Sequence, residues 1–140
     1  WSEGGVRIDI SGSTISNNRA DGGGGLYFTG ATSNLSTGTL FNCLVSGNMA
    51  TAIGGINVRW NGHLDILSST ITNNTGVNDT GGLYLMQGGT ATLHDSTVAG
   101  NHGASLANIF GTVDSASSFN VIGAFGTGGI INGVNGNTVI

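Results

Sequence analysis

The chain reads as an all-β, single-stranded parallel β-helix of about four to six coils, with roughly 27 residues and three short strands in each. Three observations lead there. Asn18, Asn48, Asn74 and Asn101 recur at steps of 30, 26 and 27 residues, each behind an Asn or Gly (Asn17, Gly47, Asn73, Gly100). Between them, short runs of alternating apolar residues recur in one order. Charged residues are only 7% of the 140, with 27 Gly and no Pro, against about 25% charge in ordinary globular chains. Equivalent positions of stacked coils lie about 4.8 Å apart. At that spacing like charges repel, whereas hydroxyls and amides share hydrogen bonds.

The first coil starts late: Gly4-Gly5 runs straight into Arg7-Ile8-Asp9-Ile10, which belongs to the second strand of the full unit. Its counterparts are Thr37-Gly38-Thr39-Leu40, His63-Leu64-Asp65-Ile66 and Thr90-Ala91-Thr92-Leu93. Period-2 alternation sends Ile8/Gly38/Leu64/Ala91 and Ile10/Leu40/Ile66/Leu93 inward. The third strand follows as Ser13-Thr14-Ile15, Cys43-Leu44-Val45, Ser69-Thr70-Ile71 and Ser96-Thr97-Val98. Ile15/Val45/Ile71/Val98 point inward there, beside a small column of Ser13/Cys43/Ser69/Ser96. Cys43 is read as a small buried filler. The Asn or Gly that follows enters the left-handed region at least cost, and the Asn after it can donate and accept along the stack. The first strand of the full unit is Gly-Gly then alternation: Gly24-Gly25-Leu26-Tyr27-Phe28, Gly54-Gly55-Ile56-Asn57-Val58 and Gly81-Gly82-Leu83-Tyr84-Leu85. The longest insert, Thr29 to Thr37, carries no charge and no aromatic residue and is read as a surface bulge.

One coil cannot bury enough apolar surface to stand alone, so stacking is obligatory. Residues 1–140 form one β-helix unit, regular over 1–101 and degenerate or terminal over 102–140. In that last stretch Ala107-Asn108-Ile109-Phe110, Phe119-Asn120-Val121-Ile122 and Gly129-Ile130-Ile131 are the candidate strands. The chain opens at Trp1 and is expected to be a segment of a longer protein, continued by further coils or an anchor.

The wording Gly-Gly-Leu/Ile-x-Val/Leu, Thr-Leu/Ala-x-Leu/Ile and Ser-Thr-Ile/Val-x-Gly/Asn-Asn resembles the repeats of bacterial right-handed β-helix surface proteins. The ending Ser96-Thr97-Val98-Ala99-Gly100-Asn101, with Asn120-Val121-Ile122-Gly123 and Asn132-Gly133-Val134-Asn135-Gly136-Asn137, is similar to proteins of the choice-of-anchor type. More distantly, the Gly-Gly repeats resemble polymorphic outer-membrane proteins and autotransporter adhesins. The resemblance spans Gly4 to Asn137. It implies a right-handed β-helix of the pectate-lyase-like superfold, an asparagine ladder, and an extracellular or outer-surface bacterial location. That superfold hosts pectate lyases, polygalacturonases and non-enzymatic passengers, so function must come from sites.

Composition excludes several classes. With Arg7, Arg19 and Arg59 as the basic residues, no Lys and a net charge of −4, the chain lacks a phosphate-neutralising surface, and no nucleic-acid partner is expected. No apolar run reaches the roughly 20 residues of a membrane helix. The lone Cys43 excludes an internal disulfide, and no metal or other cofactor is expected.

Outward columns of the second strand are Arg7/Thr37/His63/Thr90, Asp9/Thr39/Asp65/Thr92 and Ser11/Phe41/Leu67/His94. One face thereby gathers the catalytic candidates Asp9, Asp65, His63, Arg7 and His94. Asp9 and Asp65, two coils apart, are separated by roughly 9–10 Å, at the upper margin of the about 6.5–9.5 Å used by inverting glycosidases. The competing reading is solvated pairs, Arg7 with Asp9 and His63 with Asp65. Calcium-dependent elimination would need several acids around one ion, and Asp9, Asp65, Asp79 and Asp95 fall in different columns or loops. Tyr27, Trp60 and Tyr84 are candidates for stacking on sugar rings. The leading expectation is a non-catalytic extracellular scaffold, spacer or adhesin-like stalk, meeting a polysaccharide or a host or matrix surface. The alternative is a polysaccharide-active (lyase or glycoside hydrolase) or glycan-binding domain.

Overall fold

A computed structural model describes residues 5–31 and 34–140. Thr32 and Ser33 of the insert, and Gly4 of the first Gly-Gly pair, lie outside the described residues. Strands β1 (Arg7–Ser11), β2 (Thr14–Ser16), β3 (Arg19–Ala20) and β4 (Leu26–Thr29) make the first coil. The second coil has β5 (Ser36–Phe41), β6 (Leu44–Ser46), β7 (Met49–Ala50) and β8 (Ile56–Arg59). The third has β9 (Gly62–Leu67), β10 (Thr70–Thr72), β11 (Thr75–Gly76) and β12 (Leu83–Leu85). The fourth has β13 (Thr90–His94), β14 (Thr97–Val98), β15 (His102–Gly103) and β16 (Ile109–Phe110), followed by β17 (Val121–Ile122) and β18 (Thr138–Val139).

These strands stack into four sheets, all parallel: β1-β5-β9-β13 (sheet 1), β2-β6-β10-β14-β17-β18 (sheet 2), β3-β7-β11-β15 (sheet 3) and β4-β8-β12-β16 (sheet 4). The architecture is therefore a parallel β-solenoid of about four turns. Its registers match the columns read from the sequence, as in Asp9↔Thr39↔Asp65↔Thr92 and Leu26↔Ile56↔Leu83↔Ile109. The three-strand coil needs one correction: each coil carries a fourth ladder, two residues long, directly after the Asn turn.

Sequence dictates the corners. Asn17, Gly47, Asn73 and Gly100 hold φ of 57°, 65°, 54° and 68°, so the backbone reverses where small or amide residues tolerate it. Inside the corner, Asn18 Nδ2 donates to Asn48 Oδ1, Asn48 Nδ2 to Asn74 Oδ1, and Asn74 Nδ2 to Asn101 Oδ1, at 2.9, 2.9 and 3.0 Å. Each acceptor also takes the backbone N–H of the preceding ladder residue. The Gly columns make room for this. A Cβ on Gly82 would sit 2.9 Å from Asn101 Nδ2, and one on Gly25 3.0 Å from Asn48 Nδ2. In the fourth coil that glycine column holds Asn108. Its Oδ1 accepts both Asn101 N–H groups at 3.3 Å and so ends the ladder.

A second ladder runs through the small column. Cys43 N donates to Ser69 Oγ, Ser69 N to Ser96 Oγ, Ser96 N to Asn120 Oδ1 and Asn120 N to Asn137 Oδ1. Cys43 is buried here, as a filler should be. Between the ladders lies the core: Leu40, Ile56, Val58, Leu64, Ile66, Ile71, Leu83, Leu93, Val98, Ile109 and Ile122 are sealed from solvent.

The C-terminal stretch departs from its expected strands. Ile109–Phe110 and Val121–Ile122 are strands, whereas Gly129-Ile130-Ile131 forms no strand and leaves a turn at Gly128-Gly129; Thr138–Val139 supplies the last strand of sheet 2 instead. Ladder separations shrink from 27 residues to 24 and then 17, too few for a full coil. The chain folds across the end of the core, where Ile130 and Val113 are buried. The opposite end differs. Ile8 faces inward yet remains 40% exposed, with Ile10, Ile15 and Leu26 only partly buried.

Candidate functional site

The outer face of sheet 1 carries all five catalytic candidates, held in register by ladder hydrogen bonds. Their side chains resolve into three separate groupings. In the first coil Arg7 Nε donates to Asp9 Oδ2 at 2.8 Å, both side chains well exposed. The guanidinium, and then the Thr39 hydroxyl, hold the Asp9 carboxyl below the usual aspartate range, and Asp9 raises Arg7 in return. In the third coil His63 Nε2 lies 3.2 Å from Asp65 Oδ1, and its Nδ1 lies 2.8 Å from Thr90 Oγ1 of the fourth. A neutral ring protonated on Nε2 satisfies both contacts: N–H donates to Asp65 while Nδ1 accepts from the Thr90 hydroxyl. His94 turns away to Ser118, with Nδ1 2.7 Å from Oγ.

One face thus gathers five residues without converging them. Thr37 and Thr39 stand between the Arg7–Asp9 pair and the His63–Asp65 pair. An inverting mechanism needs one carboxylic acid whose pKa is raised so that it can protonate the leaving group. Asp9 is pushed the other way, which favours its ionised form and makes it a poor proton donor. Concavities in the surface lie elsewhere. One of about 740 Å³ is lined by residues including Asn101, His102, Phe125 and Ile140, and one of about 440 Å³ by residues including Arg19, Asp21, Met49 and Val77. Neither borrows a residue from the outer face of sheet 1.

The aromatic candidates sit on sheet 4 and the turn that follows it. Tyr27, Asn57, Tyr84 and Phe110 form one outward column. Tyr27 is 48% exposed, and Trp60, at φ 50° in the turn after β8, is 43% exposed. Tyr84 is buried, which corrects the expectation of an open stacking surface. Phe110 stacks on it at 4.7 Å, the Arg59 guanidinium covers it 5.0 Å from the ring centroid, and its hydroxyl donates to Met86 Sδ. Arg59 is fixed in place by donating from Nε to Asn57 Oδ1 at 3.1 Å.

Asn57 interrupts the aromatic column, and it is the anchor of the Arg59–Tyr84 cation–π contact, which sequence reasoning missed. The usable signal is the i, i+2 spacing of Asn57 and Arg59, which places both on one face of a strand. No group of three or more His, Cys, Asp or Glu suited to a metal occurs among the described residues, and none of their helices is long and apolar enough to cross a membrane. Set beside known proteins, the chain matches no family model, no curated sequence and no solved structure.

Proposed function

We propose that the protein is a non-catalytic β-solenoid scaffold, a spacer or adhesin-like stalk of a larger bacterial surface protein. One observation carries this reading: the titratable side chains on the sheet 1 face are engaged with neighbours on the stack. Arg7 holds Asp9, His63 bridges Asp65 and Thr90, and His94 meets Ser118. Residues that satisfy one another on a solvated surface leave no group poised for acid–base work. Rigidity suits the role. With buried amides tying coil to coil, each turn extends the rod by about 4.8 Å and holds its loops at set heights for a host, matrix or polysaccharide surface.

A second reading, glycan binding on sheet 4, draws on the exposure of Tyr27 and Trp60 beside the pinned Arg59. Aromatic faces next to fixed polar groups suit weak sugar stacking. Tyr84 acts there as support for Arg59, not as a contact.

The test is a panel of pectins, alginates and related polysaccharides, assayed for cleavage and for binding, with wild type, D9N/D65N and Y27A/W60A. The scaffold reading expects no cleavage by any of them. Turnover lost in D9N/D65N would replace it with the enzyme reading, and saturable binding lost only in Y27A/W60A would replace it with the glycan module.

A further inference from the structure

We propose that Arg59 is a carboxylate-binding site and that its ligand is an acidic glycan, one sugar carboxylate seated on the guanidinium. This rests on the glycan reading of sheet 4 and narrows it to a single ligand chemistry. Charge is segregated along the chain. No Asp or Glu occurs from residue 22 to 64 or from 80 to 94. The strands β4, β8 and β12 therefore carry one charged side chain, Arg59, in a protein whose net charge is −4. Arg7 is neutralised by Asp9. Arg59 has no carboxylate partner among the described residues, and its column neighbours are Thr29 and Met86.

The cation is held in place before any ligand arrives. Its Nε donates to Asn57 Oδ1 at 3.1 Å, and Asn57 is 1% exposed, so the amide that fixes the guanidinium is itself locked in the sheet. Tyr84 supports the guanidinium from below, 5.0 Å away, and is steadied in turn by Phe110 and by its bond to Met86 Sδ. An arginine carries five N–H donors. With Nε committed to Asn57, the Nη groups have no acceptor among the described residues. Binding ordinarily costs a long side chain its rotamer freedom, and here Asn57 and Tyr84 have already imposed that order. Coils lie on both sides of the site: Thr29 pairs with Arg59, and Val58 O accepts from Met86 N.

Chemistry then selects the ligand. The two Nη groups form a planar fork that matches the two oxygens of a carboxylate. One cation suits one negative charge, whereas phosphate-rich polyanions need several basic residues together. Trp60 follows directly, 43% exposed where a φ of 50° turns the chain out of β8. An aromatic face beside a fixed charge suits a sugar ring that bears its own acid. An acidic peptide is the poorer fit. Extended peptides bind by adding to an open strand edge, and β8 is paired on both sides, with β4 and β12.

The test is isothermal titration calorimetry with three probes: an alginate oligomer, its methyl ester, and a sulfated galactan oligomer. Wild type is expected to bind the free acid saturably and the ester about tenfold or more weakly, the loss that follows when a charge-assisted pair disappears. R59Q is expected to lose the same factor for the acid and nothing for the ester. R59K keeps the charge without the planar fork and is expected to fall between the two. Asn57→Ala is expected to weaken binding of the acid alone, because it releases the fork; a purely structural role would weaken acid and ester together. Arg59 is half-buried on an outer face, so R59Q is expected to keep the wild-type circular dichroism spectrum. Equal binding of acid and ester, or an acid affinity unchanged in R59Q, would overturn the carboxylate site while leaving the glycan reading of sheet 4 standing. Tighter binding of the sulfated oligomer would overturn the choice of carboxylate. No binding of any probe would overturn both the site and the glycan reading.

Discussion

Ile8 at one end of the stack and Leu93 at the other occupy the inner face of the same sheet, yet Ile8 is 40% exposed and Leu93 is sealed. The C-terminal coils close over Leu93 by shortening. Ser118 N donates to Leu93 O, Ser117 Oγ accepts from Leu93 N, and Val113 and Ile130 fill the space beneath. Polar ladders end differently as well. Asn108 terminates the asparagine ladder from a glycine column, and Asn137 terminates the second by donating to Ser117 O and Val134 O. At the N-terminal end, Asn18 donates inward to Asn48 but sits exposed. A solenoid column therefore has no stability of its own; what an identical residue contributes depends on whether a coil lies on both sides of it.

Substitutions can sharpen that contrast. The largest effect is expected at Asn74. Its loss as Asn74→Leu strands two donors of Asn48 in a buried corner, the backbone N–H and one Nδ2 proton, while Asn101 Oδ1 keeps the backbone N–H of residue 74. At about 1–3 kcal/mol for each unsatisfied group, the total is on the order of 4 kcal/mol, readable in chemical denaturation. Asn18→Leu in the first coil is expected to cost under about 1 kcal/mol, since Asn18 is exposed and water can replace what it loses. Next, Ile66→Ala is expected to cost about 2–5 kcal/mol as a core truncation, whereas Ile8→Ala is expected to cost under about 1 kcal/mol, because much of that side chain is wet already. A smaller effect, about 1–3 kcal/mol, is expected from Asn108→Gly. It restores the glycine of the earlier coils but leaves two Asn101 N–H groups without their acceptor.

The smallest effect is electrostatic. Asp9 in the folded chain titrates below its ordinary value, so the stability it contributes is present above the unfolded aspartate pKa and is lost as pH falls through the depressed folded value. In an NMR titration the Asp9 carboxyl midpoint is expected to rise toward the ordinary aspartate range in Arg7→Ala. An Asp9 midpoint that stays where it is in Arg7→Ala would mean that the guanidinium does not hold the carboxylate and would reopen the acid–base reading.

Much of this architecture was legible in the residues. Apolar columns such as Ile10/Leu40/Ile66/Leu93 and the Asn turn announce stacking directly, because period 2 within a coil and a period near 27 between coils leave few alternatives. The fourth ladder was not legible, since Arg19–Ala20 or Thr75–Gly76 are too short to show alternation. Nor was the corner at Gly12, Asn42, Ser68, Asp95 and Phe119, all at positive φ; only Gly and Asn in that column advertise a left-handed backbone. The C-terminal coils hid because their length changes. On the candidate face, sequence placed the five residues correctly in columns but could not show that each pair closes on itself. Tyr84 read as open because its cover, Arg59 and Phe110, comes from the coils on either side.

Side-chain hydrogen exchange of the ladder amides bears most directly on the stacked corner from which all of this follows. The Nδ2 protons of Asn48, Asn74 and Asn101 are expected to exchange only with global unfolding, while those of Asn18 exchange orders of magnitude faster. Equal, rapid exchange at all four would mean that the amides do not pass their hydrogen bonds from coil to coil.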